Sequence, residues 1–600
     1  MSNFIITNSI EKFEKAVSNF TKRGLKESSR FITGNTHFAS FNKRSYIDEN
    51  YLSISNEDFV ACAGTLIYKD SKGKDALLKL YEDFNNNVKV IQDMAILQGT
   101  IIIKKGKNII VFCDKYNVHW TYFYNVNNTF FISSSLKETI DALDEKVLIM
   151  DRFLEAFMQR GTMGNNMFYE GVKRLFGNEI IIIDEQSFKI DSYKYDINRY
   201  DFSQATEKEI VDTFSESFLN TIESTYKAFG PEIAIHQSGG LDSRLILSAF
   251  LKLGYKPNLI YGTGNTPLTS QYDEDKVIIK KIAKKYGLNF YFMNWNINGI
   301  IGENETIEGF NRYGFNCNEN YCNKNWYNEY QDNVGKYGKL LFDGHMGETL
   351  NIEGEDSIFN GEYPKSFSMK DIFDEYQKVF FTNFHWKSDN KKAEHTEYLR
   401  NEHNNLVDNV FHIPHNGDIM DINHYQKYWW LRYRPADAHP TNLFNDFFSS
   451  FSPLGISNLH DITMSIPFNL IKNREFSIKV IDKYTPGLNS VGVFSRATSS
   501  KIKNGKIIRS GGKKMEMLRS IHKATPQPLI DIYRKIKDYS TSKDVIPSDP
   551  LRDFYINNIE KSGLLNNVFD FKKQKGDVRI LATTYIYLKG VETLGYDKIK

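Results

Sequence analysis

Ile233-Ala-Ile-His-Gln-Ser238-Gly-Gly-Leu-Asp242-Ser-Arg-Leu-Ile-Leu247 changes character twice along its length. Ile233 to His236 reads as a short buried strand, and Ser238-Gly239-Gly240 as a turn. From Asp242 the spacing is helical, with Leu241, Leu245 and Ala249 on one side and Gly254 ending the pattern. A strand, a glycine loop and a helix N-terminus together make an anion site. The glycines let backbone N–H groups crowd together, and the helix end adds partial positive charge. Ser238 and Ser243 add hydroxyl donors. Asp242 sets a carboxylate beside the anion, which is sensible when a divalent cation lies between them. The spacing is not that of a G-x-x-x-x-G-K-[ST] loop, and no such loop occurs elsewhere. A Gly-rich turn in an ordinary α/β unit is the plainer reading, but the strand–loop–helix context favours the anion site.

At 600 residues the chain is too long for one core, so two domains are expected. Its formal net charge of +2 argues against a nucleic-acid or membrane-surface binder. Cys317 and Cys322 lie close together but lack a second pair, which argues against a zinc site. Free thiols in a reducing cytoplasm are the expectation for them and for Cys62 and Cys113. The start of the chain has no charged-then-apolar signal pattern. Apolar runs such as Ile180 to Ile183 are strand-length, far short of a membrane span.

Up to about residue 205, short apolar strands alternate with turns: Phe59 to Tyr68, Gly99 to Ile103, Ile109 to Cys113, Tyr122 to Tyr124, Phe130 to Ser134. Helical stretches at Ala76–Phe84 and Met150–Arg160 make this an α+β region with much antiparallel sheet. An amphipathic helix at 206–228, carrying Ile210, Phe214, Phe218 and Ile222, leads into the opening stretch. Beyond it, strands at Asn258–Tyr261, Asn289–Met293 and Lys339–Phe342 interleave with helices. That alternation predicts a parallel sheet with the ligand at the C-terminal ends of its strands. Ser238 and the Asp343–Glu348 turn both fall at such ends. Beyond 370 the chain reads as mainly helical and aromatic-rich, as at Tyr425 to Tyr433.

Ser238-Gly-Gly-Leu-Asp-Ser243 is similar to the pyrophosphate loop of enzymes that split ATP into AMP and pyrophosphate. With the order of the parts around it, the chain resembles the asparagine synthetase superfamily, which includes β-lactam synthetases and lasso-peptide cyclases. The resemblance is carried by residues 233–243, and by Asp114 to Tyr124 with Ser133 to Lys137; it thins after 360. It implies an α+β amidotransferase-like domain of the N-terminal-nucleophile type over 1–205. It further implies an α/β ATP-pyrophosphatase (PP-loop, adenine-nucleotide α-hydrolase-like) domain over 206–600 with a helical C-terminal part. ATP and Mg²⁺ are the implied cofactors. Ser238, Gly239, Gly240, Leu241, Asp242 and Ser243 would surround pyrophosphate, with Gly262 and Thr263 near adenine and ribose.

Further positions follow from the same resemblance. Asp343-Gly344-His345-Met346-Gly347-Glu348 stands where the family has Gly-Glu-Gly-x-Asp-Glu. With Gly344 as the first glycine, Glu348 joins Asp242 as a metal ligand, the alternative being a surface carboxylate. His345 then takes the place of a glutamate that is tyrosine in β-lactam synthetases. It is either the base for an incoming amine or a loop histidine bonded to backbone. Pro528 and Arg534 match a run whose lysine contacts pyrophosphate; that position holds Ile536, flanked by Lys535 and Lys537. Either lysine serves after a one-residue shift, or both are solvated. Ser452-Pro453-Leu454 through Pro467-Phe468 is similar to the segment lining the acceptor side.

The chain also departs from the family. Glutamine users carry cysteine directly after the initiator methionine; here Met1-Ser2-Asn3 begins the chain. Neither an arginine motif for glutamine nor an Asn-Gly-Glu-Ile-Tyr-Asn-like segment is present in the first region. The expectation is a first domain that kept its fold and lost glutaminase chemistry. The activity expected is an AMP-forming carbon–nitrogen ligase acting on a small-molecule or peptide carboxylate and an amine other than glutamine-derived ammonia. Ring closure, as in β-lactam or lasso-peptide formation, is one form of it. A homodimer or biosynthetic partner proteins are compatible; nucleic acid and membrane are not expected as partners. The alternatives are a glutamine-hydrolysing asparagine synthetase, for which Ser2 would be the nucleophile, and a non-catalytic scaffold.

Overall fold

The computed structural model describes residues 2–47, 49–159, 161–184, 187–192, 200–264, 270–295, 303–316, 324–350, 366–368, 370, 373, 384–416, 419–421, 441–471, 474–494, 500–503, 506–509, 550–573 and 578–600. Two six-stranded sheets build the first part. One runs from edge to edge through Lys173–Arg174, Tyr122–Val126, Thr129–Ser133, Asn3–Thr7, Thr36–Phe41 and Glu27–Thr33. The other runs through Phe188–Ser192, Glu179–Ile183, Asn108–Cys113, Ile96–Lys105, Phe59–Ile67 and Tyr51–Ser53. All strand pairs in both are antiparallel.

Side-chain alternation turns this pair of sheets into four layers. Phe4 and Ile6 of the first sheet pack with Ala61, Ile102 and Val111 of the second. The intervening Ile5 points the other way, onto Phe13, Val17 and Phe20 of the helix Ile10–Lys22. On the far side, Cys62, Ile101 and Ile103 meet Leu77, Leu80 and Ile91 of the helices Gly73–Asp83 and Val88–Met94. Asn3–Thr7, absent from the sequence reading, is therefore an interior strand. It is buried on both faces, so it has no polar–apolar alternation to betray it.

The helix Glu207–Phe229 opens with a capping box between Thr206 and Glu209 and ends at Gly230, whose φ is +61°. It buries Ile210, Phe214, Phe218 and Ile222, as its spacing predicts, each worth about 1.5–3 kcal/mol. Beyond it lies a five-stranded, wholly parallel sheet. Its spatial order is Phe290–Trp295, Asn258–Gly264, Ile233–His236, Leu340–Phe342, Ser449–Phe451. The strand order reverses between Ile233–His236 and Leu340–Phe342, which places the crevice of the sheet at their C-terminal ends.

Within the mainly helical part expected beyond residue 370, the strand Ser449–Phe451 completes the sheet. Helices Asp389–Asn405, Ser457–Ser465, Glu475–Tyr484, Pro550–Ser562 and Val578–Leu594 supply the helical remainder. Tyr425 to Tyr433 lies outside the described residues. The chain then returns to its first part, where Lys598–Ile599 pairs in parallel with Val147–Leu148. The two parts are also tied by a buried ion pair, Lys115 Nζ 2.8 Å from Asp461 Oδ2.

Candidate active site

Ser238 to Leu241 leaves the central strand and enters the helix Asp242–Lys252. Leu241, Leu245 and Ala249 are buried as the spacing requires, and Gly254 closes the helix with φ +81°. The loop holds its own shape. Ser243 Oγ accepts from the Ser238 N–H at 3.0 Å and from Gln237 Nε2 at 3.0 Å. Gly240 N–H donates to Ser238 Oγ at 3.1 Å. Gly239 N–H donates to the buried Asp275 carboxylate at 2.8 Å, and Tyr261 OH donates to that carboxylate's other oxygen. Arg244 reaches back from the helix to the Gly239 carbonyl at 3.3 Å and to the Gly492 carbonyl at 2.6 Å. Burial lowers its guanidinium to about 10, so it remains a cation at neutral pH.

The second half of the site comes from the neighbouring strand Leu340–Phe342 and the turn after it. A β-carbon on Gly347 would lie 2.4 Å from Asp242 Cγ and 2.6 Å from its Oδ1. One on Gly344 would lie 3.1 Å from the Ser243 N–H nitrogen. Only glycine allows the turn to lie this close to the head of the loop helix. Between them Met346 takes φ +67°, an unusual conformation for a residue other than glycine, asparagine or aspartate. Asp343, buried, accepts from the His345 N–H at 3.0 Å, and its Oδ1 lies 2.9 Å from His345 Nδ1. The imidazole of His345 is part-exposed beside it. Ser452 Oγ donates to the His345 carbonyl. Beneath, His236 Nε2 meets Tyr330 OH at 2.9 Å. Burial drives the His236 imidazole down to about 4, and the neighbouring Asp343 only partly offsets that, so it is neutral at pH 7.

The residues singled out in the sequence are thus only partly gathered. Ser238, Gly239, Gly240, Leu241, Asp242 and Ser243 share one loop, and Gly344 and Gly347 pack against it, with His345 between them in the same turn. Gly262 is buried in the adjacent strand, paired with Met293, and Thr263 follows it in the same strand. Glu348 lies in the short helical turn Gly347–Leu350, directly after the glycine that touches Asp242. Lys535 and Lys537 lie outside the described residues. Asp275, Tyr261, Asp343 and His236 were not assigned a role from sequence. For Asp343 and His236 a signal existed: each is a polar residue ending or following a buried apolar strand at the ligand end of a parallel sheet.

Among the described residues no group of three or more His, Cys, Asp or Glu side chains is placed to hold a metal ion. The donor chemistry nevertheless suits Mg²⁺, which takes one or two carboxylates and fills its shell with water and phosphate oxygens. Asp242 lies in the cradle that a β-carbon at Gly347 would fill. Asp343 Oδ2 is buried without a hydrogen-bond donor among the described residues.

The first part has a polar cavity of its own, between Ser2, Arg23, His119, Ser134 and the second-part residues Asn442 and Asn445. It measures about 10 Å³, the space of a single water. Ser2 is buried; its Oγ donates to the Asn42 carbonyl at 2.9 Å and its own carbonyl accepts from Asn445 Nδ2 at 3.0 Å. His119 lies beside Asn445, and burial together with Lys43 and the chain's amino terminus lowers its imidazole to about 3.

No family model matches the chain, and no curated protein does. Among solved structures, it is similar to one titled as the allosteric regulatory enzyme of purine biosynthesis, with 8% identity and a TM-score of 0.24 over 48% of this chain and 80% of that one. It is also similar to the glutamine phosphoribosylpyrophosphate amidotransferase of B. subtilis complexed with ADP and GMP, with 10% identity and a TM-score of 0.23 over 50% of this chain and 68% of that one. At such scores neither likeness carries an argument about this chain. No helix among the described residues is long and apolar enough to cross a membrane.

Proposed function

We propose that the chain is an ATP-dependent, AMP-forming carbon–nitrogen ligase of the asparagine synthetase kind, using an amine other than glutamine-derived ammonia. The observation that supports this best is the meeting of the Ser238–Ser243 loop with the Gly344–Gly347 turn at the switch point of a parallel sheet. A substrate carboxylate oxygen attacks the α-phosphorus of ATP, the α–β phosphoanhydride breaks, and pyrophosphate leaves with the bonding electron pair. The Leu241 end of the loop and the helix N-terminus stabilise the departing anion. Mg²⁺ supplies further charge neutralisation when bound, with Asp242, Asp343 and Glu348 as the residues to hold it. An amine then attacks the acyl carbon and AMP leaves. His345, part-exposed and oriented by Asp343 at Nδ1, takes the amine proton at Nε2. The lysine that the family resemblance calls for at pyrophosphate is proposed to be Lys535 or Lys537, both outside the described residues.

The first domain is proposed to have no glutaminase role, because Ser2 is enclosed and its neighbouring cavity is too small for an amino-acid side chain. The amine is then a second substrate or a group on the same substrate, as in ring closure. Product analysis tests the reading: ATP with a panel of amino acids, hydroxy acids and peptides yields AMP and pyrophosphate with at least one. Release of ADP and phosphate instead would refute it.

A further inference from the structure

The fifth strand of the parallel sheet, Ser449–Phe451, has one edge paired with Leu340–Phe342 and would otherwise leave the other open. Two neighbouring residues of the first domain close it. Thr65 and Gln98 face one another across the strand pair Phe59–Ile67 and Ile96–Lys105. Thr65 Oγ1 donates to the Ser450 carbonyl at 2.8 Å. The Gln98 amide makes a two-point bond to Ser452: its Oε1 accepts the Ser452 N–H at 2.8 Å, and its Nε2 donates to the Ser452 carbonyl. Gln98 and Ser452 are both buried. Ser452 then passes the contact on, because its Oγ donates to the carbonyl of His345 and the adjacent Phe451 carbonyl accepts the Asp343 N–H at 3.1 Å. Gly455 lets the layers touch: a β-carbon there would lie 3.1 Å from Gln98 Nε2 and 3.2 Å from Met346 Cγ.

We infer that the first domain serves as a clamp on the His345 turn, with Gln98 as the positioning residue acting through Ser452. The inference rests on the reading of that turn as part of the amide-forming site. A primary amide suits the task because it offers one donor and one acceptor in the geometry of a neighbouring strand. Without it, a buried N–H and carbonyl lose their partners and the turn, held at an unusual Met346 conformation, is freed to relax. Gln98 touches no reacting group, so its loss moves the His345 ring without altering the nucleotide loop.

Gln98→Met, Ser452→Ala, their double variant and Thr65→Val test this in the full-length protein. Thr65→Val loosens the same edge at Ser450 without touching Ser452 and controls for general slackening. Hydrogen-exchange mass spectrometry follows the peptides covering 340–350 and 233–246. The expected result is faster exchange at 340–350 in Gln98→Met and Ser452→Ala, no further change in the double variant, and none in Thr65→Val or at 233–246. In AMP formation with hydroxylamine and mixed amino acids, kcat falls up to about 10²-fold while KM for ATP stays within about twofold. Unchanged exchange at 340–350 in Gln98→Met, or an equal rise in Thr65→Val, would overturn the inference. Absence of AMP from the unaltered protein would count against the ligase reading alone, since the exchange result stands without turnover.

Discussion

Gly347 lies against the Asp242 carboxylate so closely that a methyl group on it would come within 2.4 Å of Asp242 Cγ. These residues are far apart in the chain, yet their contact joins the loop helix to the turn of the next strand. Gly347→Ala must push the turn away from the loop. The expected outcome is a loss of about 10²-fold in AMP formation, with the protein still folded by circular dichroism.

Lys115 and Asp461 form a buried pair between the two parts, to which Tyr116 OH also donates. Removing Asp461 leaves the buried Lys115 with only the more distant Asp93 carboxylate, at 3.8 Å, among its described ion-pair partners. Asp461→Ala is expected to destabilise the protein by about 3–5 kcal/mol in denaturant melts. Lys115→Met with Asp461→Leu should recover much of that loss, since of the charges around the pair only the part-exposed Asp93, 3.8 Å from Lys115 Nζ, then loses a cation.

His119 gives a pH dependence of defined sign. Its folded imidazole titrates at about 3, below the ordinary histidine value of 6.5, chiefly through burial. The unfolded chain therefore binds the extra proton first as pH falls, so stability is lost between about pH 6.5 and 3. Above that window the group is neutral in both states and contributes no slope. His119→Gln should flatten this part of the stability–pH profile, measured by chemical denaturation at successive pH values.

Ser2 bears on the rival amidotransferase reading. Its hydroxyl donates to the Asn42 carbonyl at 2.9 Å, with the Phe41 carbonyl farther off at 3.4 Å. Ser2→Ala is expected to cost about 1 kcal/mol or less and to leave AMP formation unchanged. Glutamate release from glutamine should be at background in both proteins; release that Ser2→Ala removes would restore Ser2 as a nucleophile.

The local features were legible. Strand, loop and helix at Ile233–Lys252 follow from spacing and glycine placement, because their contacts are between near neighbours. The alternation of strands and helices gave the parallel sheet. Asn3–Thr7 was hidden because both faces are buried, and Ser449–Phe451 because it is short and lies in an aromatic-rich tract. Asp275, Gln98, Asn442 and Asn445 could not be found, since each acts by a polar contact to a distant residue and their own neighbourhoods carry no pattern. The Gly344–Gly347 turn was visible only through its resemblance to a family motif; its contact with Asp242 came from the tertiary fold.

The most direct test of an acyl-adenylate is to intercept it. Hydroxylamine added to the protein with Mg²⁺, ATP and candidate carboxylates should give a hydroxamate in step with AMP, and Asp242→Asn should reduce both by at least about 10²-fold. AMP formed without hydroxamate under those conditions, or hydroxamate formed equally well by Asp242→Asn, would contradict the account.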